Sequence, residues 1–79
     1  MKLTGTVVAG GAPVESAYVQ IQNLAGDFQG EVRTDAHGGF VLYPVPGRWR
    51  LVCWKPGGGR AELEVEVGTK DSDLEIKLD

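Results

Sequence analysis

The residues with the greatest capacity for chemistry lie in the stretch TDAHGGFVLYPVPGRWRLVCW, residues 34–54, which holds the only histidine and the only cysteine of the chain. Asp35 and His37 could together act as a base beside the Cys53 thiol, as nucleophilic catalysis requires. Their setting favours another role. Asp35 and His37 lie in TDAHGG, where aspartate typically bonds local backbone amides and glycine accepts positive φ. We therefore predict a turn at Asp35, with His37 exposed at its tip.

Cys53 alternates along the chain with Trp49 and Leu51, which predicts that its thiol lies in an apolar core and is unreactive. One cysteine and one histidine are too few for a zinc site, and Asp71 and Asp73 are not followed by a spaced calcium-binding loop. The PGGGR segment has neither the spacing nor the following helix of a nucleotide-binding loop. The sequence therefore predicts no catalytic, cofactor-binding or metal-binding residues, and a protein that is not an enzyme.

The elements that carry these residues follow from a period-two alternation of apolar and polar residues that runs almost from end to end. It puts Leu3, Gly5 and Val7 on one face of the first strand and places Phe28 on the same face as Gly30 and Val32. Seven strands are predicted, over residues 2–9, 16–23, 28–35, 40–45, 48–55, 60–68 and 73–79. Seven short strands joined by close turns indicate a single all-β domain over residues 1–79, a seven-stranded antiparallel β-sandwich.

Composition excludes several classes of protein. The chain has 79 residues, a hydrophobic content of 42% and a net charge of −3, which suits one small globular domain and not a nucleic-acid-binding surface. No apolar run is long enough for a signal peptide or a membrane-spanning helix. The single cysteine excludes an internal disulfide and favours a reducing compartment. We therefore expect a cytoplasmic protein with no membrane partner.

One group of outward-facing residues points to binding. Tyrosine, tryptophan and arginine dominate the energetics of protein interfaces, and the alternation directs several of them away from the core. If their strands are neighbours, these side chains form an interface with a protein partner or a second copy. The predicted interface residues are Tyr18, Val41, Tyr43, Arg50, Val52 and Trp54.

The strand and turn motifs resemble the carboxypeptidase-regulatory-like and transthyretin-like β-sandwich domains. Those domains read G-x-V, then G-x-P-[LV]-x-x-A-x-V, T-D-x-x-G-x-F and P-G-x-[YW]-x-[LV]. The matching residues here are Gly5, Val7, Gly11, Pro13, Val14, Ala17, Val19, Thr34, Asp35, Gly38 or Gly39, Phe40, Pro46, Gly47, Trp49 and Leu51. The resemblance covers nearly the whole chain and implies a transthyretin-like, Ig-like Greek-key sandwich. It is specific for fold and weak for function.

A closer resemblance lies in GAPVESAYVQIQNLAGDFQGEVRTDAHGGF and GRWRLVCWKPGG. These stretches are similar to a small actinobacterial family of unknown function whose genes often lie beside a thiosulfate sulfurtransferase. The resemblance implies a connection with sulfur metabolism and supplies no catalytic residues.

Three functions are compatible with the sequence. The first is a non-catalytic interaction module, which self-associates or docks to a partner enzyme. The second is a carbohydrate-binding module that uses Trp54 and Tyr43, although no secretion signal accompanies it. The third is a structural or decoration subunit of a larger assembly.

Overall fold

The computed structural model describes residues 2–78, and it confirms an all-β sandwich. Two sheets of four strands each pack face to face. The eight strands are β1 (Leu3–Ala9), β2 (Ala12–Pro13), β3 (Tyr18–Gln22), β4 (Phe28–Arg33), β5 (Gly39–Leu42), β6 (Gly47–Trp54), β7 (Arg60–Val67) and β8 (Ser72–Leu78). Within the described residues, no helix is long and apolar enough to cross a membrane.

The first sheet is built around β1. Strand β5 pairs antiparallel with the first half of β1, and β2 pairs antiparallel with the last two residues of β1. Strand β8 pairs parallel with β1 along the whole length of β1. The predicted sandwich was wholly antiparallel, so this parallel pair is a correction. The first and last strands are joined by the rest of the chain, which supplies the crossover that a parallel pair requires and that a hairpin cannot.

The strand count also differs from the prediction, because the GGAP segment does more than end the first strand. Gly10 and Gly11 have φ of 60° and 83°, and Ala9 pairs directly with Ala12. Positive φ at both central residues is the geometry of a tight hairpin turn whose twist matches that of the flanking strands. The turn therefore adds β2 as an eighth strand of two residues.

The second sheet has the order β4-β3-β6-β7, and every pair in it is antiparallel. Its inner residues and those of the first sheet form one core cluster, in which Val7, Val19, Leu51 and Cys53 are fully buried. No buried side-chain polar atom of residues 2–78 lacks a hydrogen-bond partner. The core leaves the outer face of this second sheet to solvent.

One contact explains two of the sequence motifs. Gly5 pairs with Phe40 across β1 and β5, and a Cβ atom at Gly5 would lie 2.3 Å from the Phe40 ring. The aromatic ring therefore occupies the space that any side chain at position 5 would need. The phenylalanine of the third motif, in this position, therefore leaves room only for glycine in the first.

Candidate interaction face

The outer face of the β4-β3-β6-β7 sheet is formed by the alternate residues that the core does not use. On the two central strands, Tyr18 pairs with Trp54, Gln20 with Val52 and Gln22 with Arg50. These residues therefore form three rows across the middle of the sheet, and the edge strands β4 and β7 extend each row outward. We call this surface the outer face.

The first row is an aromatic pair bracketed by arginines. The rings of Tyr18 and Trp54 stack with centroids 5.4 Å apart and planes 20° apart. The Arg33 guanidinium lies 5.0 Å from the Tyr18 ring centroid, and its Nη2 donates a hydrogen bond of 3.0 Å to the Tyr18 hydroxyl. Arg60 pairs with Trp54 from the other side. Stacking and the cation–π contact hold these long side chains in one arrangement before any partner arrives.

The charges of the outer face balance. All four arginines of the sequence lie on it, along with four glutamates; its charged residues are Arg33, Arg48, Arg50, Arg60, Glu31, Glu62, Glu64 and Glu66. Two ion pairs join them on the surface, Arg48–Glu66 at 3.4 Å and Arg60–Glu62 at 3.1 Å. Exposed pairs of this kind contribute about 0–1 kcal/mol each. Arg50 and Glu64 lie opposite each other on β6 and β7 without an ion pair between their side chains, and neither has another ion-pair partner within residues 2–78.

Val52 lies at the centre of the outer face but is not accessible. It is only 4% exposed, although it is not part of the core cluster between the sheets. Its neighbours across the two adjacent strands are Gln20 and Glu62. The alternation placed Val52 on the correct side of its strand but did not reveal that it is covered there.

Two of the predicted interface residues lie elsewhere. Val41 belongs to β5 in the first sheet, where it pairs with Thr4, and Tyr43 follows the end of that strand. Both are exposed, Tyr43 at 75%. Four predicted residues therefore share the outer face and two do not. Tyr43 instead borders an open groove of about 320 Å³ whose other lining residues are Ile21, Gln29, Gly30, Leu42, Pro44, Val45 and Trp49.

Two kinds of residue on the outer face were not predicted from the sequence. The arginines Arg33 and Arg60 are on the outward side of their predicted strands, but only the strand pairing shows that they extend the aromatic row. Phe28 reaches this face through an irregularity, because the pairing shifts from Ile21–Gly30 to Gln22–Phe28. A bulge inserts one residue and changes the side to which the next side chain points. Phe28 is accordingly 59% exposed.

The turn between β4 and β5 is confirmed as predicted. The Asp35 Oδ1 atom accepts hydrogen bonds from the backbone amides of His37 at 2.8 Å and Gly39 at 2.9 Å. These two amides, and to a lesser extent the neighbouring His37 side chain, hold the pKa of Asp35 below its ordinary value. His37 is exposed at the turn. Asp35 is therefore engaged in the turn and is not aimed at a nucleophile.

Cys53 is also where the sequence placed it. It is fully buried in the core, and burial raises the pKa of its thiol to about 11. A thiol of this kind is neutral at physiological pH and out of reach of a substrate. Across the described chain, no three histidine, cysteine, aspartate or glutamate side chains come together as a metal site would require.

Known structures share this fold. The 5-hydroxyisourate hydrolase of Klebsiella pneumoniae superposes with a TM-score of 0.73 at 19% identity, over 100% of this chain and 92% of its own. A DUF3823 family protein from Parabacteroides merdae superposes with a TM-score of 0.64 at 18% identity, over 98% of this chain and 43% of its own. These similarities show a transthyretin-like sandwich and do not transfer an activity.

The sequence comparisons place the chain in a family of unknown function. No curated protein matches the sequence. The actinobacterial distribution and the sulfurtransferase gene neighbour implied by the sequence resemblance stay predictions. A family described as "Protein of unknown function (DUF1416)" matches residues 1–78, and the chain therefore belongs to the DUF1416 family.

Proposed function

We propose that this protein is a non-catalytic interaction module that binds another protein surface through its outer face. The observation that carries the proposal is the row formed by Arg33, Tyr18 and Trp54, in which a stacked aromatic pair and a guanidinium are fixed on an open sheet face. Tyrosine, tryptophan and arginine are the residues that most often dominate binding energy at protein interfaces. Because the side chains are already ordered, binding costs less conformational entropy than it would for mobile ones.

The use of arginine on this face supports the same proposal. All four arginines lie on the outer face. Arginine is enriched and lysine depleted at protein interfaces, since the planar guanidinium stacks on aromatic rings and is more weakly hydrated than an ammonium group. The three rows of this face contain arginines and no lysine, and this distribution supports a role in binding.

The residues that suggested catalysis support a non-catalytic role. Asp35 is engaged by two backbone amides, and Cys53 is sealed in the core with a raised pKa. The Klebsiella pneumoniae neighbour is a hydrolase, but at 19% identity the similarity concerns the fold.

Carbohydrate binding has less support from the arrangement of its two residues. Trp54 lies in β6 of the second sheet, whereas Tyr43 follows the end of β5 in the first sheet. In addition, one face of the Trp54 ring stacks on Tyr18, and Arg33 also lies against Tyr18. The Tyr18 ring therefore occupies one face of Trp54, and this arrangement favours a protein partner over a sugar.

The test compares binding by the wild type, Trp54→Ala and Tyr43→Ala. Tyr43 is a matched control because it is an exposed aromatic residue off the outer face. Two arms are measured by size-exclusion chromatography with light scattering: the chain alone, and the chain with a thiosulfate sulfurtransferase, the partner that the sequence resemblance implies. Complex formation in either arm should weaken about 30-fold or more in Trp54→Ala, which corresponds to a hot spot of 2 kcal/mol.

The control should bind like the wild type. A wild type that forms no complex in either arm would overturn the proposal, and so would equal binding by wild type and Trp54→Ala. Large symmetric particles in the first arm would identify the structural subunit considered from the sequence.

A further inference from the structure

We infer that the partner of the outer face is a second copy of this chain, and this inference rests on the function proposed above. The two copies meet face to face about a two-fold axis that runs across the strands along the row of Gln20 and Val52. Each copy then presents the same surface to the other, as a closed symmetric dimer requires.

The geometry follows from the strand register. Three rows cross the sheet from β4 to β7, with one residue from each strand. The first row is Arg33, Tyr18, Trp54 and Arg60; the second is Glu31, Gln20, Val52 and Glu62; the third is Phe28, Gln22, Arg50 and Glu64. An axis along the second row keeps each strand over its own copy and exchanges the first and third rows.

This exchange gives complementary contacts on the two strands that carry most of the charge. Trp54 of one copy faces Arg50 of the other, and Arg60 faces Glu64. Arg50 and Glu64 are the two charged residues among these contacts that have no ion-pair partner within residues 2–78. Each of them gains a partner of suitable chemistry, a tryptophan ring for the guanidinium and a guanidinium for the carboxylate.

A two-fold axis along the strands is disfavoured by charge. An axis along the strands between β3 and β6 would place Arg33 opposite Arg60 and Glu31 opposite Glu62. Like charges in contact discriminate strongly against an arrangement. With the axis across the strands, the only like charges that meet are Glu31 with the Glu31 of the second copy and Glu62 with the Glu62 of the second copy. Within each chain, Glu31 accepts a hydrogen bond from Gln20 at 3.2 Å and Glu62 accepts one from Arg60 at 3.1 Å.

Net charge and area are compatible with a second copy. The chain carries a charge of −3, but four arginines and four glutamates make the outer face neutral. Two copies therefore do not repel each other at this surface. The two longest dimensions of the molecule, 31 and 24 Å, limit the contact to about the 800 Å² per partner of a standard interface. The fraction of dimer should therefore rise with protein concentration.

The test is a charge-swap complementation measured by sedimentation equilibrium up to about 1 mM protein, the weak end of the affinity range. Arg60→Glu and Glu64→Arg each place like charges at both symmetric contacts, so each variant alone should dimerise at least tenfold more weakly than the wild type. An equimolar mixture restores an opposite-charge pair at both contacts and should dimerise like the wild type. Urea unfolding of each variant confirms that these exposed substitutions leave the fold intact.

The matched control is the same pair of charge changes on the first sheet. Glu75 and Lys77 form an exposed ion pair at 3.9 Å there. Glu75→Arg and Lys77→Glu should dimerise like the wild type, alone or mixed. The dimer geometry would be wrong if Arg60→Glu and Glu64→Arg dimerised like the wild type, or if their equimolar mixture stayed monomeric. A wild type that is monomeric throughout would overturn the second copy as partner; if it still binds the sulfurtransferase through Trp54, the proposed function survives.

Discussion

The buried hydroxyl of Thr34 ties the segment before β3 to the end of β4, and its removal tests the reasoning about the fold most sharply. Thr34 is the one buried polar residue among those the structure describes, at 5% exposure. Its Oγ1 atom accepts a hydrogen bond of 2.9 Å from the Ala17 amide and donates one of 2.6 Å to the Val14 carbonyl. Both bonds are buried.

Thr34→Val keeps the shape of the side chain and removes both hydrogen bonds. The Ala17 amide and the Val14 carbonyl are then left buried without this partner, at a cost of about 1–3 kcal/mol for each group. A chain of 79 residues has a total stability of about 4–12 kcal/mol. A loss of about 2–6 kcal/mol for the two groups together therefore removes a large part of the folding free energy.

The assay is urea unfolding followed by tryptophan fluorescence. With an m value of about 1 kcal/mol/M, the midpoint of Thr34→Val should fall by about 2 M or more. Thr34→Ser is the matched control, since it retains the hydroxyl and loses one methyl group, at a cost of about 1 kcal/mol. A Thr34→Val variant within 1 kcal/mol of the wild type, or less destabilised than Thr34→Ser, would refute the assignment.

Three further predictions concern the turns and the core. Gly38→Ala should cost about 2 kcal/mol or more in urea unfolding, because φ is 76° and the new Cβ would lie 2.6 Å from the Val7 carbonyl oxygen. Gly10→Ala is the control, because Gly10 has φ of 60° but no atom near the position of a new Cβ, and it should cost about 1 kcal/mol. Equal losses of stability in the two variants would contradict the steric clash at Gly38. Asp35→Asn should lower the urea midpoint at neutral pH. Because the Asp35 pKa is lower in the folded chain, its stabilisation is present above the unfolded pKa of about 3.9 and is lost as pH falls through the folded pKa. The difference should therefore vanish in acid, and a constant difference would show that the carboxylate charge is not the cause. At pH 8, Cys53 should react with a thiol reagent only as fast as the chain unfolds, and rapid labelling of the native protein would contradict its burial.

The sequence was sufficient for features that depend on neighbours along the chain. Alternation placed Leu3, Val7 and Cys53 in the core, and the structure confirms all three. The turn at Asp35 followed from local hydrogen bonding, which needs only the residues of the turn itself. Such features are predictable because the side-chain period of a strand and the backbone preference of glycine are local properties.

Features that depend on strand pairing were not predictable. Consecutive strands β5 and β6 lie in different sheets, which separates Val41 and Tyr43 from Trp54. The bulge that exposes Phe28 is defined by a partner strand and leaves no signal in the alternation of β4. The row of Arg33, Tyr18 and Trp54 likewise exists only because three strands pair in one register. Sequence identified the residue types of the candidate site, and the pairing decided which of them meet.

The most direct test of the outer face as a binding surface is the accessibility of Trp54 as complexes form. In a Trp49→Phe variant, Trp54 is the only fluorophore of its kind, and acrylamide quenching reports its exposure to solvent. As the average mass rises with concentration, the quenching constant should fall several-fold because the ring becomes covered. If the complex forms while quenching of Trp54 stays unchanged, the contact lies elsewhere and the proposed role of the outer face is wrong.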